Sequence, residues 1–259
     1  MIRVAVLRAW FACGIVSLVL AGVLAQPDGR DSSPHTARLI AVSDDVRLQV
    51  LDWGGSGRAL VLLAGQGNTA HVFDDFAPKL AGSGHIYSIT RRGFGASTAS
   101  AEPCLRDCRA DDVLAVIDAL KLDRPALAGH SVAGEELGSI GSRHPEKVAG
   151  LIFLDAGYGH LMPIVSFADG EPKYAAIPVP ILAIFAVPHA APAVVRDDPA
   201  ALRAFEARDA ASGERDAKRF EANLPSARVV RLAHADHYVF RSNEADVLRE
   251  MRDFLLSLR

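Results

Sequence analysis

Six short, mostly apolar runs, spaced by longer segments that are mainly amphipathic, constrain this 259-residue chain more than any other feature. They are "ALVLLAG" from Ala59, "HIYSIT" from His85, "PALAG" from Pro125, "VAGLIFLD" from Val148, "VPILAIFA" from Val179 and "ARVVRL" from Ala227. Strands apolar on both sides must be covered on both sides, which implies a parallel sheet between helical layers. The covering helices are expected at "HVFDDFAPKLAG", "RADDVLAVIDALKL", "VAGEELGSIGSRH", about Asp198 to Ala222, and "NEADVLREMRDFLLSL". In the second of these, Val113, Val116, Ile117 and Leu120 make one apolar stripe. Ahead of the six runs, "RLIAV" and "VRLQVLDW" read as an antiparallel pair turning at Asp44-Asp45. The expectation is an α/β fold with an eight-stranded, mostly parallel sheet and helices on both faces. Ligand chemistry in such a sheet belongs at the C-terminal ends of the strands.

Half of the residues are apolar and 23% are charged, enough for one large core. A net charge of −3 argues against a nucleic-acid-binding or polybasic membrane-binding protein. The N-terminus differs in kind. "MIRVAVLRAWFACGIVSLVLAGVLAQPDGR" has Arg3 and Arg8, an uncharged apolar run from Ala9 to Ala25, and small residues before Gln26. That pattern fits a signal peptide over residues 1–25, cleaved after Ala25, with periplasmic or secreted localisation. A retained N-terminal membrane anchor is the alternative, although a span needs roughly 20 apolar residues. Residues 26–36 read as a flexible lead-in and 37–259 as a single domain. Export makes a disulfide between Cys104 and Cys108 the favoured reading over two free thiols. A C-x-x-x-C pair without nearby histidines is poor metal evidence, and neither a metal nor an organic cofactor is expected.

The chemistry concentrates in "ALAGHSVAGEELGSI". Ser131 stands where a strand must become a helix almost without a loop, between Gly129 and Ala133-Gly134. Such a corner exposes a hydroxyl at a helix start, where the Val132 N–H can serve as an oxyanion donor. A plain helix N-cap is the competing reading. A serine needs a base, and "VVRLAHADHYVF" offers His237, with His234 as second choice. An acid should orient the imidazole. Asp155, at the end of "GLIFLD", is the first candidate, and Asp197/Asp198 in "VVRDDP" are the competitors. The Gly-rich turn Gly65-Gln66-Gly67 supplies a second oxyanion donor, Gln66 N–H, with Gly67 as alternative.

These segments resemble the α/β-hydrolase superfamily over about Ala37 to Leu258. "LLAGQGNTAHVFDDFAPKL" is similar to its oxyanion-loop segment, with Ala64 where many members have histidine. "SITRRGFGAS" resembles its D-x-R-G-x-G-x-S segment with Thr90 in place of aspartate, and "GHSVAGEE" its nucleophile elbow with Ala133 in place of the last glycine. The order Ser131, Asp155, His237 is also that of the superfamily. The resemblance implies a serine hydrolase, carboxylesterase-like, acting on a small-molecule ester through an acyl-enzyme. Ser131 argues against the dehalogenase and epoxide-hydrolase branches, whose nucleophile is aspartate. An amidase, peptidase or thioesterase would use the same triad, and a non-catalytic relative binding a small apolar ligand is the alternative from another class. The segment Ala156 to Pro180 is too short for a full helical cap, so a rather open pocket is expected, lined by some of Tyr158, Leu161, Met162 and Phe167.

Overall fold

The computed structural model describes residues 34–99, 104, 107–157 and 177–258. The leader, most of the lead-in and the four expected pocket residues Tyr158, Leu161, Met162 and Phe167 lie outside them. Eight strands form one sheet: β1 (Thr36–Ala41), β2 (Arg47–Gly55), β3 (Ala59–Leu63), β4 (His85–Ile89), β5 (Ala126–His130), β6 (Gly150–Leu154), β7 (Ile181–Ala186) and β8 (Ala227–Leu232). Their spatial order is β1-β2-β4-β3-β5-β6-β7-β8. The pairs β1/β2 and β2/β4 are antiparallel, and every pair from β4 through β8 is parallel. The eight-stranded, mostly parallel sheet expected from the sequence is therefore present.

Strands β3, β5, β6 and β7 are buried along their whole length, as uniformly apolar runs require. One face is covered by α1 (Cys108–Ala119), α2 (Gly134–Arg143) and the C-terminal part of α4 (Pro199–Asn223), where Val116, Leu137 and Phe220 pack against Leu127, Phe153 and Phe185. The other face is covered by α5 (Val239–Ser242) and α6 (Glu244–Ser257), with Phe73, Phe240 and Met251 against Leu62, Ile152 and Ile184. A short helix, α3 (Ala193–Arg196), precedes α4. No helix of the described residues is long and apolar enough to cross a membrane.

One expected helix is absent as such. "HVFDDFAPKLAG" forms two 3-10 turns, Ala70–Phe73 and Ala77–Leu80. Pro78 sits inside the second; it has no N–H for the Asp74 carbonyl, and its ring would strike that carbonyl in a continuous α-helix. Cys104 and Cys108 are joined as a disulfide at the start of α1.

Candidate active site

The corner after β5 is tight because small residues interlock there. A Cβ on Gly129 would lie 3.0 Å from the Cβ of Ala133, so the methyl of Ala133 occupies the space that the glycine leaves. Gly134 is equally constrained: a Cβ there would come within 2.4 Å of the Gly157 carbonyl. The glycine displaced by one residue from the expected pattern thus lets the start of α2 sit against the loop after β6. Ser131 has φ +58°, a left-handed conformation costly to a residue with a Cβ and held here by its surroundings.

Gly65 presses the other side of the corner. A Cβ on it would meet His130 Nδ1 at 2.8 Å and Ser131 Cβ at 3.2 Å, so the turn carrying Gln66 abuts Ser131. Neither Gln66 N–H nor Val132 N–H finds an acceptor among the turn and loop bonds of the described residues. The turn is tied to the histidine loop by Asn68 Nδ2, which donates to Tyr238 Oη at 3.1 Å.

Asp155 follows β6 at φ +44° and is buried. Its Oδ1 accepts from Ala186 N–H at 2.9 Å, and its Oδ2 accepts from His237 Nδ1 at 2.6 Å. His237 Nε2 is thereby left as the nitrogen not committed to the acid. Burial pushes the Asp155 carboxyl up, but the hydrogen bonds from His189, His237 and Ala186 outweigh it and hold it below its ordinary value. No hydrogen bond joins Ser131 to His237 among the described residues; their link is His130, whose Nε2 donates to the His237 carbonyl at 3.0 Å. The rings of His130 and His237 lie 4.6 Å apart.

The competing residues stand elsewhere. Asp198 caps α4, accepting from Ala200 N–H and Ala201 N–H, and Asp197 is the exposed C-cap of α3. His234 is exposed, with its own N–H donating to Pro188 O at 2.7 Å. The structure brings in one residue that the sequence reading did not include. His189, three residues past β7, places Nε2 2.8 Å from Asp155 Oδ2. A histidine just beyond an apolar run is the same signal that marked His237.

The nitrogens of His189 and His237 and the Asp155 oxygen lie within 4.8 Å of one another. Two ligands on one tetrahedral zinc sit about 3.3 Å apart. The 2.6 and 2.8 Å nitrogen–oxygen separations are shorter, so the cluster is a hydrogen-bonded array rather than a ligand set.

Comparison with known proteins points to the same fold. The family model described as "alpha/beta hydrolase fold" matches residues 58–180. The 2-hydroxymuconate semialdehyde hydrolase of Pseudomonas sp. (strain CF600) is 29% identical over 142 residues, 53% of this chain and 49% of that one. A serine hydrolase-like protein of Danio rerio is 30% identical over 112 residues, 42% of this chain and 34% of that one. The chain thus spans half or less of the length of these curated relatives. Among solved structures, a serine hydrolase from the polyaromatic-hydrocarbon-degrading bacterium Cycloclasticus zankles superposes with TM-score 0.67 at 14% identity, covering 85% of this chain and 98% of that one. E-2-(acetamidomethylene)succinate hydrolase superposes with TM-score 0.65 at 16% identity, covering 86% and 100%. The chain has the α/β-hydrolase fold.

Proposed function

We propose that this protein is an exported serine hydrolase that cleaves a carboxylic ester through Ser131, His237 and Asp155. The observation that carries the reading is Ser131 itself, held left-handed at the end of β5, next in sequence to His130, whose ring lies 4.6 Å from that of His237, the histidine whose Nδ1 is fixed on a buried carboxylate. Ordinary N-caps take extended backbone, so a helix cap alone gives no reason for that conformation.

In the reaction, His237 Nε2 takes the Ser131 proton as Oγ adds to the ester carbonyl carbon. The N–H groups of Gln66 and Val132 receive the oxyanion. Collapse breaks the carbon–alkoxy bond, and the proton on His237 leaves with the alcohol. Water then adds to the acyl-enzyme, gives its proton to His237, and the acid departs as Ser131 regains its hydrogen. Asp155 keeps the proton of His237 on Nδ1 throughout, so that Nε2 is the reactive nitrogen. Contact between Oγ and Nε2 is expected to close with substrate bound, since such bonds are commonly long in free enzymes.

The Cys104–Cys108 disulfide supports an oxidising compartment, consistent with the leader-like N-terminal sequence. A fluorophosphonate probe tests the central assignment: wild type should be labelled and Ser131→Ala should not, with aryl-ester turnover lost alongside. Labelling that persists in the variant places the nucleophile elsewhere.

A further inference from the structure

Asp155 does not serve His237 alone. His189 Nε2 lies 2.8 Å from the same oxygen, Oδ2, that accepts from His237. The opposite nitrogen of His189, Nδ1, faces Asp209 of α4, 3.0 Å from Oδ2 and 3.3 Å from Oδ1. The backbone N–H of His189 donates to Asp209 Oδ2 at 2.6 Å, which fixes the residue on that carboxylate. A ring nitrogen without a hydrogen would turn its lone pair on a carboxylate oxygen, so both nitrogens carry hydrogen and the ring is an imidazolium. The charged and titratable groups that face it are Asp155 from the end of β6, Asp209 from α4, and the His237 ring from the loop after β8, whose centroid is 6.2 Å away.

We infer that His189 is a positioning residue of the active site: its imidazolium, clamped between Asp209 and Asp155, fixes the shared carboxylate and offsets its charge, so that His237 remains the neutral base. This rests on the Ser131–His237–Asp155 reading above. A buried carboxylate beside a lone histidine favours the imidazolium form of that histidine, which cannot accept the serine proton. A second, fixed cation on the same carboxylate opposes that. Hydrogen bonding to Asp155 outweighs burial and, together with the charge of Asp155 and the contacts to Asp209, pushes His189 up to about 9, so the clamp stays charged through neutral pH. Two imidazoliums about 6 Å apart repel enough to move a titration by about one to two pH units.

The test follows the rate of fluorophosphonate labelling of the full chain against pH. His189→Gln keeps a donor for Asp155 and removes the charge, so the acid limb should move up by about one to two pH units. His189→Lys, which restores a cation, should return the limb to within about half a unit of wild type. A His189→Gln limb that stays in place while only the plateau falls overturns the proposal, since loss of mere structural support lowers the plateau and leaves the limb where it is. Imidazole nitrogen NMR provides a second readout should the Gln variant fail to fold. His189 of the wild type should show two protonated nitrogens at pH 8, and Asp209→Asn should bring loss of one proton down by about a unit. A singly protonated His189 at pH 7 in the wild type overturns the inference. Labelling that survives Ser131→Ala instead removes the underlying triad reading, while the NMR result still decides the charge on His189.

Discussion

His130 Nε2 donates to the backbone carbonyl of His237 across 3.0 Å, so the residue preceding Ser131 anchors the loop that carries His237. His130 is buried, its ring packs on Tyr238 at 4.8 Å and edge-on to Phe240 at 5.2 Å, and its Nδ1 has no partner. Burial first, and then repulsion from the His237 ring whenever that ring is protonated, push it down to about 4, so it is neutral and donates from Nε2. His130→Phe preserves the aromatic packing but orphans the His237 carbonyl. Loss of about 1–3 kcal/mol in urea unfolding is expected, with a fall of at least about tenfold in labelling rate as the loop loses its register. Unchanged labelling would mean that the loop is positioned without His130.

Gly65→Ala tests whether the oxyanion turn must touch the corner. Its backbone φ lies outside the left-handed region, so the effect is steric: the new methyl would meet the imidazole of His130, locked by its bond to His237, and the Cβ of Ser131. The turn must retreat by some tenths of an ångström, carrying Gln66 N–H away from Ser131. Stability should fall by about 1–3 kcal/mol, and kcat on an aryl ester by about a hundredfold, the magnitude of losing one oxyanion donor. A variant with full kcat would remove Gln66 from the oxyanion site.

Asp155→Asn separates orientation of the base from mere packing. An amide has one acceptor oxygen where the carboxylate has two, whereas Ala186 N–H, His189 and His237 all donate to this side chain. The amide NH2 must therefore face at least one former donor. Turnover should drop by about 10⁴-fold, as when the acid of a serine triad is made neutral, with stability lower by about 1–3 kcal/mol because a buried donor loses its acceptor while His189 keeps Asp209. Asp198→Ala, at the helix cap, should lose about 1 kcal/mol of stability and no activity.

The strand ends were legible because buried strands are spelled in unbroken apolar residues, and the polar residue that ends such a run is conspicuous. Asp155 after "GLIFL" and Ser131 after "ALAGH" were found in this way, and both sit at left-handed backbone on the same rim of the sheet. The Asp209–His189 bond was not legible. Its partners are 20 residues apart, and Asp209 lies on a helix whose polar residues read as a solvated face until α4 brings it back to the end of β7. The broken 70–80 segment was missed for a local reason, since its apolar spacing is helical and only Pro78 contradicts it. Asp198 was ambiguous between acid and cap, and Pro199 at the first helical position accounts for the outcome.

Stability should pass through a maximum near pH 6–7, because two histidines are shifted in opposite directions from the same ordinary value of 6.5. His130, near 4 in the folded chain, resists a proton that the unfolded chain accepts, so its contribution is present above 6.5 and lost as pH falls towards 4. His189, near 9, holds its proton more tightly when folded, so its contribution is complete below 6.5 and lost as pH rises through 9. Asp155, lowered in the folded state, steepens the acid side further as it is protonated. The acid arm should amount to about 3 kcal/mol from His130, and the basic arm to about 2 kcal/mol, discounted because the His189 side chain is 32% exposed. Urea midpoints measured from pH 4 to pH 10 give both arms directly. His189→Gln should flatten the basic arm and spare the acid one, and His130→Phe should do the reverse. A single variant that abolished both arms would show that the two histidines titrate as one unit through His237, rather than as the separate clamp and anchor that their hydrogen bonds describe.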